Sequence, residues 1–166
     1  MRDPKTKVVL FSESAALSKR LKSQGRTLVT TNGCFDLLHL GHLNYLHEAR
    51  LLGDVLWVAV NSDASVRALK GPTRLLQTDA VRALQLAALE SVDYVTVFEE
   101  STPEKFLSVV HPSIHVKGGD YRIDQLPERK VVEAGGGKLQ CLRFTEGFST
   151  TALMERIRTS FPQTPK

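Results

Sequence analysis

Apolar stretches of strand length alternate along the chain with segments whose apolar residues recur every three or four positions. The best strand pattern covers residues 55–60, apolar at every position, as a strand sheltered by helices on both faces must be. Residues 27–31, 94–98, 114–117 and 138–144 predict four more strands. A short helix capped by Ser12 and carrying Ala16, Leu17 and Leu21 is expected near the start. A second runs through Leu43, Leu46 and Ala49 and ends at Gly53, and a third covers residues 79–91 with Val81, Leu84 and Ala88 on one side. Thr102, Pro103 and Glu104 read as a helix start, with a hydroxyl cap, a proline at the first helical position and an acid in the first turn. Pro112 stops that helix, and residues 125–134 and 149–160 predict the last two.

Strand, helix, strand repeated in this way predicts an α/β fold. We expect a Rossmann-like, doubly wound five-stranded parallel sheet with right-handed crossovers and helices on both faces. The expected organisation is an N-terminal extension with a short helix over residues 1–25, one domain over residues 26–160, and a frayed tail over residues 161–166. Ligands on such sheets bind beyond the carboxyl ends of the strands, where strand order reverses. The loops after the strands are therefore the place to look for chemistry.

Composition narrows the partners. The 166 residues fit one domain, and 42% hydrophobic with 24% charged residues excludes a disordered or collagen-like chain. The apolar run over residues 55–60 is far short of the roughly 20 residues that a spanning helix needs, so no membrane is expected. Lysine and arginine exceed the acids by 22 to 18, too small an excess to coat nucleic acid but ample for one phosphorylated ligand. Cys34 and Cys141 imply neither a disulfide framework nor a zinc site, and the first residues carry no apolar export segment. A cytoplasmic location is expected.

The segment after the first strand carries the sharpest chemistry. Asn32, Gly33, Cys34, Phe35 and Asp36 lead into His39-Leu40-Gly41-His42 at the start of a helix. Histidines three apart at a helix start project to one side, and Gly41 between them lets a ligand approach the backbone. A helix start offers unpaired N–H groups and a positive dipole end to phosphate. Two imidazoles beside it can donate to oxygens whose charge grows as a nucleophile attacks phosphorus. A histidine pair three apart is also common surface or core decoration, and can bind metal. His47, His111 and His115 do not converge with the pair, so no metal site is expected.

This stretch resembles the nucleotidyltransferase superfamily marked by His-x-Gly-His. Asn61-Ser62-Asp63 with the residues through Gly71, the stretch from Val116 to Tyr121, and Ser149-Thr150-Thr151 are most similar to the adenylyltransferases that make ADP-heptose from D-glycero-β-D-manno-heptose 1-phosphate. The resemblance runs from about Gly25 to Ile157. It implies transfer of AMP from ATP to a sugar 1-phosphate, with Mg²⁺ entering on ATP and no general base, because a phosphate oxygen is already anionic. In many bacteria this domain is fused to a sugar kinase, and relatives often pair as homodimers.

The resemblance distributes roles over the loops. His39, His42, Lys70 and Arg82 are the catalytic candidates: the histidines for the α- and β-phosphates, Lys70 and Arg82 for the departing pyrophosphate, with Arg74 a weaker candidate. Asn32, Gly33, Cys34, Phe35, Gly41, Gly118, Gly119, Asp120, Ser149, Thr150 and Thr151 are expected at the nucleotide. Asp36, Asn61, Asp63 and Lys117 are expected at the acceptor. Read without the resemblance, residues 61–63 are a turn and helix cap, the basic residues a solvated surface, and Ser149 an ordinary cap. Cys34 is expected to be a small packing residue rather than a nucleophile. Three rival functions are a cytidylyltransferase acting on a small alcohol phosphate such as glycerol phosphate, a non-catalytic nucleotide-binding module, and a flavodoxin-like redox protein.

Overall fold

In the computed structural model, residues 2–71, 75–119, 122–143, 145 and 147–161 are described. The elements run α1 (Ser14–Ser23), β1 (Leu28–Gly33), α2 (Leu40–Arg50), β2 (Val55–Asn61), α3 (Asp63–Lys70), α4 (Asp79–Ala87), β3 (Tyr94–Phe98), α5 (Glu104–Val110), β4 (Ile114–Gly118), α6 (Glu128–Ala134), β5 (Lys138–Leu142) and α7 (Thr150–Ser160). All strand pairs are parallel, in the order β3-β2-β1-β4-β5. The chain walks outward from β1 to β3, then returns to the other side of β1, so strand order reverses between β1 and β4. This is the doubly wound α/β sheet expected from the alternation of patterns.

Strand alternation sorts the core into two layers. Leu56, Val58 and Val60 of β2 join Val29, Leu46, Ala49, Leu86 and Val116 on the face covered by α2 and α4. Val55, Trp57 and Ala59 join Leu17, Leu21, Phe106, Leu107 and Val132 on the face covered by α1, α5 and α6. Trp57 is fully buried, with its indole N–H on the Thr96 hydroxyl at 3.0 Å. None of the described side chains of α7 is buried. Among the described residues no helix is long and apolar enough to cross a membrane.

Three local features depart from the predicted pattern. Helix α3 was not among the predicted helices, although residues 61–63 read as a turn and helix cap; Ser62 caps it by accepting from the Ser65 N–H at 3.1 Å, and it hides only Ser65 and Val66. Too few apolar residues mark it for a periodic signal to appear. In α4 the buried stripe is Arg82, Ala83, Leu86 and Ala87, while Val81 and Leu84 lie outside. An internal set of carbonyls receives Arg82 and draws it inward. The expected helix over residues 125–134 divides into a 3₁₀ turn (Ile123–Gln125) and α6, with Pro127 at the junction.

Candidate active site

At the switch point, Asn32 of β1 and Lys117 of β4 stand side by side, one step beyond the Thr31–Val116 pairing. Their side chains meet, with the Lys117 ammonium donating to Asn32 Oδ1 at 3.1 Å. Together with Gly33, Cys34, Phe35, His39, Gly41, His42, Tyr45, Lys70 and Gly118 they line a cleft of about 300 Å³. A second lobe of about 490 Å³ is lined by the same two histidines with Thr145, Gly147, Phe148, Ser149, Thr150 and Ala152. The imidazoles therefore stand where the two lobes adjoin. Asn44 of α2 donates to the Thr145 hydroxyl at 3.2 Å and ties the lobes together.

His39 is the N-cap residue of α2, and its carbonyl accepts from the His42 N–H at 2.9 Å. Its side chain caps nothing and instead stacks on His42, with ring centroids 3.8 Å apart and planes 21° from parallel. Phe35 packs on the other ring at 5.1 Å, and its backbone is held at φ +49°, a conformation uncommon outside glycine that marks local strain. Gly41 leaves room for its neighbours: a Cβ there would sit 3.1 Å from His39 Nδ1 and 3.3 Å from the Phe148 Cβ. Burial lowers the pKa of His39. Burial, followed by the nearby His39 ring, pulls His42 down to about 4. At neutral pH both rings are uncharged, each with one N–H to donate, and Nδ1 of each is buried without a hydrogen-bond partner. Two imidazolium charges at this spacing would repel, so an arriving anion can draw at most one proton onto the pair readily.

The second lobe is roofed by the start of α7. Ser149 caps it, its hydroxyl accepting from the Ala152 N–H at 3.0 Å. Ser149 and Thr150 line the lobe, whereas Thr151 is exposed and lines neither. Gly118 lines the cleft; Gly119 turns away, at φ +127°, to donate to the Leu142 carbonyl at 2.9 Å. Asp120 and Arg74 lie outside the described residues.

Four expected contact residues occupy other places. Arg82 is fully buried and does not line the cleft: its guanidinium donates to the carbonyls of Cys34, Asn61 and Gln77 and to Asp63 Oδ1 at 2.9 Å. Asp63, expected at the acceptor, spends that same oxygen on Arg82 and on the Asp79 N–H at 2.7 Å, while its own N–H donates to Asp79 at 3.0 Å. Asn61 is buried and donates to the Ser65 hydroxyl. Asp36 is buried too, and accepts from the N–H groups of Leu76 and Gln77 at 3.0–3.1 Å. These side chains brace the loops after β1 and β2 against the start of α4. They position the cleft and do not line it.

Sequence reading did not single out Tyr45, Phe148, Thr145 or Glu128. Tyr45 lies three residues after His42 on α2, so helical spacing alone could have placed it on the histidine side. Its hydroxyl meets Thr31 at 2.6 Å and donates to the Val116 carbonyl at 3.0 Å, and burial raises its pKa. Among the described residues no group of three or more histidine, cysteine, aspartate or glutamate side chains could hold a metal ion.

A doubly wound sheet whose switch point carries paired imidazoles and two lysines, beside a second helix start, defines a protein built to handle phosphorylated ligands. The cytidylyltransferase-like family matches residues 30–161, and the chain belongs to it; in class it is a nucleotidyltransferase. It is 48% identical over 157 residues to the "Bifunctional protein HldE" of Geotalea uraniireducens, and 47% identical over 160 residues to that of Citrifermentans bemidjiense. These matches cover 95% and 96% of the chain but only 32% and 33% of the relatives, so the chain spans about a third of their length. Among solved structures, a lipopolysaccharide core biosynthesis protein from Thermoplasma volcanium aligns with a TM-score of 0.61 and 30% identity, over 73% of this chain and 98% of that one.

Proposed function

We propose that the chain transfers AMP from ATP to the phosphate of a heptose 1-phosphate, giving ADP-heptose and pyrophosphate. The observation that carries this reading is the stacked His39–His42 pair between two lobes. A displacement at the α-phosphorus places nucleophile and leaving group on opposite sides of it, and a site for it wants a donor pair with room on both sides. An oxygen of the sugar phosphate attacks the α-phosphorus, and the bond from that phosphorus to the pyrophosphate oxygen breaks. No proton has to be removed from the nucleophile.

The histidine N–H groups sit beside the phosphorus whose oxygens gain charge, and the rings are fixed before the substrate arrives. Lys70 and Lys117 offer cations in the first lobe. The start of α7 with Ser149 and Thr150 offers a partial positive charge to the leaving pyrophosphate in the second. Mg²⁺ is expected to arrive on the ATP phosphates, whose hard oxygens suit it. Arg82 acts at a distance, by fixing the Cys34 carbonyl and with it the loop that leads to the histidines.

The family match keeps a second reading in play, a cytidylyltransferase for a small alcohol phosphate. A pyrophosphate-release assay with ATP or CTP against heptose 1-phosphate and glycerol 3-phosphate separates them. Release with ATP and heptose 1-phosphate alone is the expected result. Release with CTP and glycerol phosphate would replace the heptose reading, and nucleotide binding without any release would make the chain a binding module.

A further inference from the structure

Resting on the transfer reaction above, we propose that Glu128 is a positioning residue that holds the Lys117 ammonium in place for a substrate phosphate. Glu128 opens α6, an element that contributes no lining to either lobe. Its side chain reaches the sheet face on which Lys117 and Asn32 lie, and Glu128 Oε1 accepts from Lys117 Nζ at 2.6 Å. Asn32 Oδ1 takes a second ammonium proton at 3.1 Å. An ammonium has three N–H donors, so one remains for an oxygen in the cleft that Lys117 lines.

Glu128 is 4% exposed, and its other oxygen, Oε2, is buried with no hydrogen-bond partner. A buried carboxylate with an idle oxygen carries an uncompensated desolvation cost, and an apolar side chain would serve packing better. Packing is already provided in α6 by Val132, which is fully buried in the core. What Glu128 adds is an anchor. A lysine stem is long and flexible, and ordering it before the ligand arrives removes that entropy cost from binding. His115 lies two residues before Lys117 on the same face, with Nδ1 at 2.9 Å from the Thr30 hydroxyl. Burial, with Lys117 second, holds that ring far below the usual histidine range, so it stays neutral and adds no second charge near Lys117.

The test is a double-mutant cycle read by calorimetric binding of ATP and, separately, of heptose 1-phosphate, with thermal melts of every variant. Lys117→Ala and Glu128→Ala should weaken the same one of the two ligands, each by about tenfold, because each removes one charge-assisted contact or its pre-ordering. The pair K117A/E128A should bind no worse than K117A alone, since Glu128 acts only through Lys117. Glu128→Gln keeps the shape and an acceptor oxygen; it should lose about threefold, and nothing once Lys117 is absent. If E128A does not fold, the E128Q pair decides. Wild-type affinity in both Glu128 variants, or losses that multiply in the double variants, would overturn the proposal. A wild-type protein that binds both ligands but releases no pyrophosphate defeats the transfer reaction alone and leaves the cycle to judge Glu128. Binding of neither ligand defeats both.

Discussion

His39 and His42 form a stacked pair that their surroundings keep neutral. Replacing His42 with alanine removes a donor from the reacting centre while leaving α2 intact. We expect kcat to fall by about 100-fold or more with an unchanged melting temperature, as for loss of one preorganised donor elsewhere. Near-normal turnover would remove His42 from the mechanism. Arg82 predicts the opposite signature. Its guanidinium bridges three carbonyls and Asp63 with no exposure, so Arg82→Lys cannot reproduce the fork. Stability should drop by roughly 3–5 kcal/mol, the scale for breaking a buried pair, with activity falling alongside. Denaturant melts and kcat/KM measured together check this. Lost activity with full stability would return Arg82 to the substrate.

Helix α2 sets the spacing of the site at its first turn. A methyl group at Gly41 would stand 3.1 Å from His39 Nδ1 and 3.3 Å from Phe148, tighter than either ring or loop accommodates without shifting. Gly41→Ala should therefore lower kcat by about tenfold through displaced histidines, while the helix gains rather than loses intrinsic propensity. A crystal structure of the variant with His39 unmoved and full activity would refute this. At this scale the sequence was legible where apolar periodicity was strong: β2 and β3 fall where the pattern placed them, while α5 starts one residue later than predicted, with Pro103 at its N-cap and Thr102 capping no backbone N–H. It was misleading in α4, because hydropathy cannot foresee that an arginine will find internal carbonyls and turn Val81 outward. The role of Asp36 was hidden for a similar reason. Its partners are backbone N–H groups forty residues away, which no local spacing reveals.

Across the whole molecule, the two winding directions of the sheet bring loops distant in sequence to one rim. The His-x-Gly-His segment was legible as a candidate phosphate site because strand, glycine and helix start are contiguous in the chain. Glu128 was not, since its contact with Lys117 of β4 arises only when α6 folds over the sheet. The fold also carries a pH signature. His115 is held at about 3 and His42 at about 4 by burial, against an ordinary value near 6.5. The unfolded chain therefore takes up protons below pH 6.5 that the folded chain refuses, and stability falls as pH drops through the window from 6.5 towards 3. The loss should reach the order of a few kcal/mol by pH 4. Melts of wild type against His115→Gln should show a shallower slope in the variant; equal slopes would mean that His115 does not report its burial.

The central claim is that one polyphosphate spans both lobes across the histidine pair. A crystal structure with a non-hydrolysable ATP analogue tests it most directly. The account predicts the α-phosphate within hydrogen-bonding distance of both imidazoles and the terminal phosphates at the start of α7 beside Ser149 and Thr150. An analogue bound with its phosphates outside the second lobe, or touching neither ring, would contradict it.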